Sequence, residues 1–98
     1  MKFREYRDSS DRLTMAVECM PSLAYRFVRW KLCKKFQLKK SGNYVKSLDE
    51  KFQEYRNSDG RVSIDWDIWS GFAVTALTPE SESLVKNIGN WLREKYDK

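Results

Sequence analysis

The sequence contains no histidine. Histidine is the commonest general base in enzymes and the commonest ligand of transition metals, because its imidazole titrates near neutral pH. Without it, no serine or cysteine of the chain can be activated by a histidine base. The glycine patterns of dinucleotide sites, P-loops and nucleophile elbows are also missing. We therefore predict that the protein is not an enzyme and that it has no catalytic residues, no cofactor and no metal site.

Long apolar runs and a cysteine framework are absent as well. No segment approaches the roughly 20 apolar residues of a membrane-spanning helix. The first residues, MKFREYRDSSDR, are charged and lack the apolar core of a signal peptide. These absences predict a cytoplasmic protein with no membrane partner. Cys19 and Cys33 follow no metal-binding spacing and have apolar neighbours, so both are expected to be reduced thiols in the core.

What the chain does have is a folded composition and an uneven charge. Apolar residues make up 41% of the 98 residues, and four tryptophans argue against disorder, so one domain over residues 1–98 is expected. Residues 1–46 contain 12 basic and 4 acidic side chains, whereas residues 47–98 contain 7 basic and 10 acidic ones. Residues 26–46 contain eight basic residues and no acidic one. Such asymmetry indicates a surface for an anionic partner, either nucleic acid or an acidic protein.

The spacing of apolar residues predicts the element order β-α-β-β-β-α. Alternation over residues 12–19 is typical of a strand. Pro21 then introduces a helix that we predict over residues 22–38. Residues 1–11 are expected to be irregular or an edge segment, and residues 41–47 a loop.

Residues 48–57 have two interpretations. The segment 47–50, Ser-Leu-Asp-Glu, resembles a helical capping box. A strand, by contrast, would lead directly into Asp59 and Gly60, a pair typical of hairpin turns with positive φ at both positions. We favour a strand over residues 51–57, with room for a helical turn before it; a helix over residues 48–57 is the open alternative.

A second hairpin is predicted around Ser70 and Gly71. A two-residue loop would mix the core and solvent faces, whereas a three-residue loop, 69–71, keeps the apolar residues on one face. Gly71 would then adopt the left-handed conformation that ends such loops. The expected core-face pairs are Ile68 with Phe72, Trp66 with Val74, and Ile64 with Ala76.

The last helix is predicted from its start signals and its apolar stripe. Thr78 is expected to be the N-cap and Pro79 the first helical residue. The stripe that would pack on the sheet contains Leu84, Val85, Ile88, Trp91, Leu92 and Tyr96. The fold class that follows is α+β, a single antiparallel-rich sheet with two helices packed on one face.

The other face of that sheet is the first candidate site. We expect Asp65 and Asp67 to lie there, across from Thr75 and Ala73 on the next strand. Aromatic and aliphatic groups beside carboxylates are typical of protein interfaces; a solvated face with scattered apolar residues is the alternative. Two carboxylates alone do not make an acid–base pair or a calcium shell. The candidate partner-binding residues of this face are Asp65, Asp67, Trp69 and Leu77. Phe52 joins them if the turn at Asp59 and Gly60 has a two-residue loop.

The first helix is the second candidate site, because its apolar residues form two stripes. The longer stripe, with Tyr25, Val28, Leu32 and Phe36, is expected to face the core. The other stripe, with Leu23, Phe27 and Trp30, is expected either to pack on the other helix or to be partly exposed. We predict a protein partner or homo-oligomer that contacts Phe27 and Trp30. Nucleic-acid binding through residues 26–46 is the alternative, with Arg26, Arg29, Lys31, Lys34 and Lys35 as its candidate residues.

Three segments resemble a group of small uncharacterised bacterial proteins. They are LDEKF at 48–52, SIDWDIWSGF at 63–72 and ESESLVKNIGNWL at 80–92. Members of that group occur as stand-alone genes, some on mobile integron-type cassettes or beside toxin genes in the manner of immunity proteins. The resemblance covers residues 48–95 and implies a compact α+β accessory protein that works by binding. No catalytic residues belong to that group, so the resemblance implies none in this chain.

Overall fold

The computed structural model describes residues 2–46, 50–69 and 71–96, of which 43–46 and 50 are described by their backbone alone. Within these ranges the six strands form one antiparallel sheet in the order β1-β2-β6-β5-β4-β3. A short 3-10 turn, Pro79–Ser81, precedes the last helix. The elements in chain order are β1 (Lys2–Arg7), β2 (Leu13–Glu18), α1 (Ser22–Phe36), β3 (Lys39–Lys46), β4 (Glu50–Asn57), β5 (Gly60–Asp67), β6 (Gly71–Ala76) and α2 (Glu82–Tyr96).

Both helices pack on the same face of the sheet, which confirms the predicted α+β class. α2 lies against β1, β2 and β6, while α1 lies against β5. Burial of large apolar side chains, worth about 1.5–3 kcal/mol each, is the main source of stability in such a layer. The largest fully buried side chains are Tyr25, Phe72, Leu32, Ile64, Leu84, Ile88 and Leu92.

The predicted element order lacks two strands, β1 and β3, which are the two edges of the sheet. An edge strand has a neighbour on one side only, and five of the six residues of β1 are exposed, so no apolar alternation marks it. β3 falls where the sequence predicts a loop. Its pairing with β4 shifts between Lys40 and Tyr44, and Gly42 there has φ +67°. Glycine accommodates this bulge, although in the sequence it resembles a loop signal.

α1 begins at Ser22 as predicted but ends at Phe36, two residues earlier than expected. Gln37 adopts a left-handed conformation with φ 55°, and the amide of Leu38 donates a 2.9 Å hydrogen bond to the carbonyl of Cys33. This closure satisfies a terminal carbonyl of the helix and directs the buried Leu38 towards the core.

The predicted start of the last helix is confirmed in position, with a different first turn. Thr78 is the extended N-cap, and Pro79 is the first residue of a 3-10 turn. The amide of Ser81 donates to the carbonyl of Thr78 at 3.0 Å. α-Helical geometry then starts at Glu82, and the predicted stripe is buried except for Tyr96, which is partly buried.

The predicted register of the β5–β6 hairpin is wrong by two residues. Trp66 pairs with Phe72 and Asp67 with Gly71, so the loop begins at residue 68 instead of residue 69. The turn begins at Asp67 because its Oδ1 accepts a 2.8 Å hydrogen bond from the amide of Trp69. Ile68 therefore lies in the loop, 54% exposed, and not in the core. The left-handed conformation predicted for Gly71 is confirmed, with φ +84°.

The β4–β5 connection also differs from the prediction. β4 is a strand from Glu50 instead of the alternative helix, while the prediction of a helical turn at residues 47–49 falls outside the described residues. Asn57 pairs with Gly60, so the loop is Ser58–Asp59. The side chain of Asn57 caps this turn by accepting from the amides of Asp59 at 2.7 Å and Gly60 at 3.1 Å. Neither Asp59 nor Gly60 has the positive φ that the dipeptide predicted.

The two cysteines are not equivalent. Cys19 has φ 65° and is exposed, so the prediction of a core thiol is wrong for it. Cys33 is partly buried, and burial raises the pKa of its thiol. Neither forms a disulfide.

Among the described helices, none has the length and apolar character needed to cross a membrane.

The hairpin register can be tested with a matched pair of alanine variants. Phe72→Ala removes a side chain that is 0% exposed and should lower the free energy of unfolding by about 3–5 kcal/mol. Ile68→Ala removes a loop side chain and should change it by less than about 0.5 kcal/mol. Urea denaturation of both variants measures this difference. Similar losses for the two would contradict the register described above.

Candidate partner-binding surface on helix α1

Helix α1 is apolar on two opposite sides. Tyr25, Val28 and Leu32, which we call the inner stripe, are at most 1% exposed. Leu23, Phe27 and Trp30, which we call the outer stripe, are 81%, 57% and 56% exposed. Since each residue turns an α-helix by about 100°, the two stripes are separated by roughly half a turn. Only the inner stripe contributes to the core, which settles the open alternative in favour of exposure for the outer stripe.

Aromatic contacts and hydrogen bonds hold α1 in one orientation on the sheet. The ring of Tyr25 lies 5.9 Å from that of Phe72 and 6.3 Å from that of Trp66 between centroids. The indole N–H of Trp66 donates a 2.6 Å hydrogen bond to the carbonyl of Met20, just before the helix. Lys51 Nζ donates to Ser22 Oγ at 3.1 Å and lies 4.7 Å above the Trp66 ring. The direction of the outer stripe is therefore set by contacts at the start of the helix.

Polar groups at the border of the inner stripe are partly buried and make contacts within the protein. The guanidinium of Arg29 lies 5.4 Å above the Tyr25 ring, so this member of the predicted basic set is partly buried against the sheet side of α1. Burial raises the pKa of Tyr55 to about 12 and raises that of the neighbouring Cys33. Both groups are therefore protonated at neutral pH, and Cys33 does not offer a nucleophilic thiolate.

The outer stripe is bordered by cations. The rings of Phe27 and Trp30 are 6.3 Å apart between centroids and tilted by 31°. Lys31 Nζ lies 5.3 Å from the centroid of Phe27, and Lys34 Nζ lies 4.8 Å from that of Trp30, both within cation–π range. Arg26 is exposed beside them, and α1 contains no acidic residue. The surface is therefore apolar along its centre and positively charged along its borders.

The outward side of α2 provides an internal comparison. Every residue that α2 exposes is polar or charged: Ser83, Lys86, Asn87, Asn90, Arg93, Glu94 and Lys95. Both helices lie in the same layer, yet only α1 exposes large apolar side chains. Packing on the sheet therefore does not require the outer stripe of α1.

The other predicted site, on the sheet face away from the helices, is only partly assembled. Asp65 lies across from Phe52 and Ala73, and Asp67 lies across from Gly71. The predicted neighbours, Thr75 for Asp65 and Ala73 for Asp67, are therefore wrong, because the register of the hairpin differs by two residues. Phe52 joins this face as foreseen. Small residues fill its centre and are buried, although α1 and α2 pack on the opposite face: Thr14, Ala16, Ser63 and Thr75.

The two apolar candidates of that face lie at opposite ends of β6. Trp69 is 77% exposed in the loop before the strand, and Leu77 follows its last residue. At about 3.3 Å per residue, the six-residue strand places them roughly 20 Å apart. The pKa of Tyr6 on the edge strand β1 is raised by burial, against the opposing charge of Arg4, with smaller contributions from carboxylates that include Asp65 and Asp67. Leu77 is therefore not part of one surface with Trp69.

Sequence reasoning missed one exposed apolar residue, Ile68, by assigning it to the core. It is the neighbour of Trp69 in the loop. The signal that could have found it is Asp67, since aspartate commonly starts a turn through its side chain.

In the part of the chain that the structure describes, no group of three or more histidine, cysteine or carboxylate side chains is arranged to hold a metal ion.

Comparison with known proteins found no matching family model, no matching curated protein and no matching solved structure.

The outer stripe should be dispensable for folding. Replacing Leu23 and Phe27 by glutamine should change the free energy of unfolding by less than about 1 kcal/mol, because both side chains are mostly exposed. Leu32→Ala, on the inner stripe of the same helix, should cost about 2–5 kcal/mol. Chemical denaturation followed by circular dichroism measures both changes. A loss for the glutamine variant as large as that for Leu32→Ala would show that the outer stripe is structural.

Proposed function

We propose that this protein is a non-enzymatic binding protein that docks on another protein through the outer stripe of α1. The observation that supports this most is the double-sided apolar character of α1, of which the fold uses one side. Contiguous exposed apolar side chains commonly mark interaction sites. Phenylalanine and tryptophan are favourable in such a place, because aromatic residues supply most of the binding energy of protein interfaces.

The size of the surface fits the centre of an interface. Two half-exposed aromatic rings and Leu23 expose on the order of 300 Å² of apolar area. A stable interface buries about 800 Å² on each partner. The remaining area would come from the basic border of the stripe, since interface rims are polar. Arg26, Lys31 and Lys34 are placed for that role.

Among the candidates of the sequence, α1 is favoured over the outer sheet face. Asp65 and Asp67 are each partly shielded, and Leu77 lies a strand length away from Trp69. The outer stripe, in contrast, brings its three members together on less than three turns of one helix.

Site-specific photocrosslinking can test this proposal. A photoreactive benzoylphenylalanine placed at Leu23 should form a discrete protein adduct in a lysate of the source cells, because this position lies at the proposed contact. The same group at Asn87, on the polar outward side of α2, is the matched control and should give no such adduct. Mass spectrometry of the adduct identifies the partner and the crosslinked segment. An absence of adducts at position 23, or identical adducts from both positions, would refute the proposal.

Nucleic-acid binding is the second candidate function. Exposed Phe27 and Trp30, with Lys31 and Lys34 beside them, have the chemistry of a base-stacking surface. One feature weakens this candidate: the guanidinium of Arg29 is directed towards the Tyr25 ring, so it is not available to a phosphate.

The nucleic-acid candidate makes a distinct prediction about salt. Binding of a labelled oligothymidine or single-stranded RNA should weaken steeply as salt increases, with a slope of about −0.7 per phosphate contact in a plot of log affinity against log salt. Lys31→Gln with Lys34→Gln should reduce that slope. Fluorescence anisotropy measures both effects. A lack of binding at low salt would eliminate nucleic acid as the ligand.

A further inference from the structure

The spacing of the outer stripe matches one side of a two-helix coil. Its members follow at intervals of four and three residues, and the next position in the pattern, four residues on, is Lys34. Intervals of four and three are those of the a and d positions that interlock in coiled coils. The stem of Lys34 reaches back so that its ammonium lies 4.8 Å from the Trp30 centroid. Over 12 residues the drift between an ideal helix and this repeat is small, so α1 presents a straight apolar seam.

Two of the four positions that flank this seam carry positive charge. The four positions are Ala24, Arg26, Lys31 and Cys33. Arg26 is exposed and Lys31 is partly exposed, one on each side of the seam, whereas Ala24 and Cys33 pack against the core. In two-helix coils these flanking positions, e and g, select the partner by pairing opposite charges.

Because of these charges, a second copy of α1 is a poor occupant of the seam. In a parallel pair, Arg26 of one copy would face Lys31 of the other. In an antiparallel pair that overlaps along the whole seam, Arg26 would face Cys33 of the other copy and Lys31 would face Ala24. Since α1 contains no acidic residue, a second copy offers no carboxylate to these cations in either orientation, and the parallel one places like charges side by side. Self-pairing therefore leaves the charges beside the seam without a complement.

We infer that the outer stripe of α1 binds an acidic amphipathic α-helix of a different protein, with glutamate or aspartate beside its apolar seam. This inference rests on the proposed function and adds the chemistry of the partner to it. The heptad spacing favours a helix as the occupant, because neither a nucleic acid nor a lipid surface requires that spacing. Arg26 and Lys31 supply the charge complement on the two sides, and Phe27 and Trp30 supply the contact area.

Three synthetic helical peptides can test the inference with the full-length protein. They share one leucine seam and differ only at their e and g positions, which are all glutamate, all glutamine or all lysine. Exposed ion pairs contribute little individually, so the glutamate peptide should bind about three- to tenfold more tightly than the glutamine peptide. The lysine peptide should bind most weakly, and the differences should shrink at high salt. Fluorescence anisotropy of the labelled peptides measures these affinities.

Two variants serve as controls. Phe27→Gln with Trp30→Gln should abolish binding of all three peptides. Arg26→Glu with Lys31→Glu should reverse the order, so that the lysine peptide binds most tightly. If circular dichroism shows that this double variant is unfolded, Arg26→Glu alone, at an exposed position, should still narrow the difference in affinity between the glutamate and lysine peptides.

The possible failures of this inference can be distinguished from failure of the proposed function. Equal affinities for the three peptides, or no binding by any of them, would overturn the acidic helix, while a crosslinked protein at position 23 would leave the proposed function intact. Displacement of the glutamate peptide by oligothymidine or by anionic phospholipid vesicles at lower concentration would also overturn it. A homodimer in light scattering that Phe27→Gln with Trp30→Gln dissociates would overturn it in favour of self-association. The absence of any adduct at position 23 would refute the proposed function itself.

Discussion

The position of α1 depends on Trp66. Its indole is 5% exposed and contacts three parts of the chain: the N–H binds the carbonyl of Met20, the ring meets Tyr25, and Lys51 covers its face. These contacts join the end of β5 to the entry of α1 and to β4. A helix without such an anchor could rotate about its axis and bury whichever apolar side packed better. With it, Tyr25 and Leu32 face the sheet, and Phe27 and Trp30 are left outside.

Much of the fold followed from the periodicity of the chain, and its failures have specific physical causes. The alternation in β2 and β5 and the stripe of α2 were sufficient to predict a sheet covered by two helices on one face. β1 and β3 were not predicted because edge strands are mostly solvated and lack that alternation. The predicted hairpin register was wrong because it was chosen only to place the apolar residues on one face. A single hydrogen bond from the Asp67 side chain moved the loop and transferred Ile68 from the core to the surface.

The candidate site was predictable to a different extent on the two surfaces. Helical spacing alone identified Leu23, Phe27 and Trp30 as a stripe, but whether another element covered it depended on tertiary packing. On the sheet face, the sequence placed Asp65, Asp67 and Phe52 together correctly. Leu77 shares their alternation but lies at the far end of β6 from Trp69, since alternation determines the face of a residue and not its distance along the strand. Arg29 was grouped with the other basic residues because a side chain's direction at the border of a helix face cannot be deduced from spacing.

The two edge strands give the positive charge of the first half of the chain a second explanation. Six of the 12 basic residues in positions 1–46 belong to β1 and β3, among them Lys2, Arg4, Lys39 and Lys40. An open strand edge is a template on which further chains can add and grow into aggregates, and lysine, arginine and bulges at the edge oppose that growth. β3 has the bulge as well, between Lys40 and Tyr44. About half of the basic residues in this part of the chain therefore lie on strands where positive charge opposes growth of the sheet between molecules.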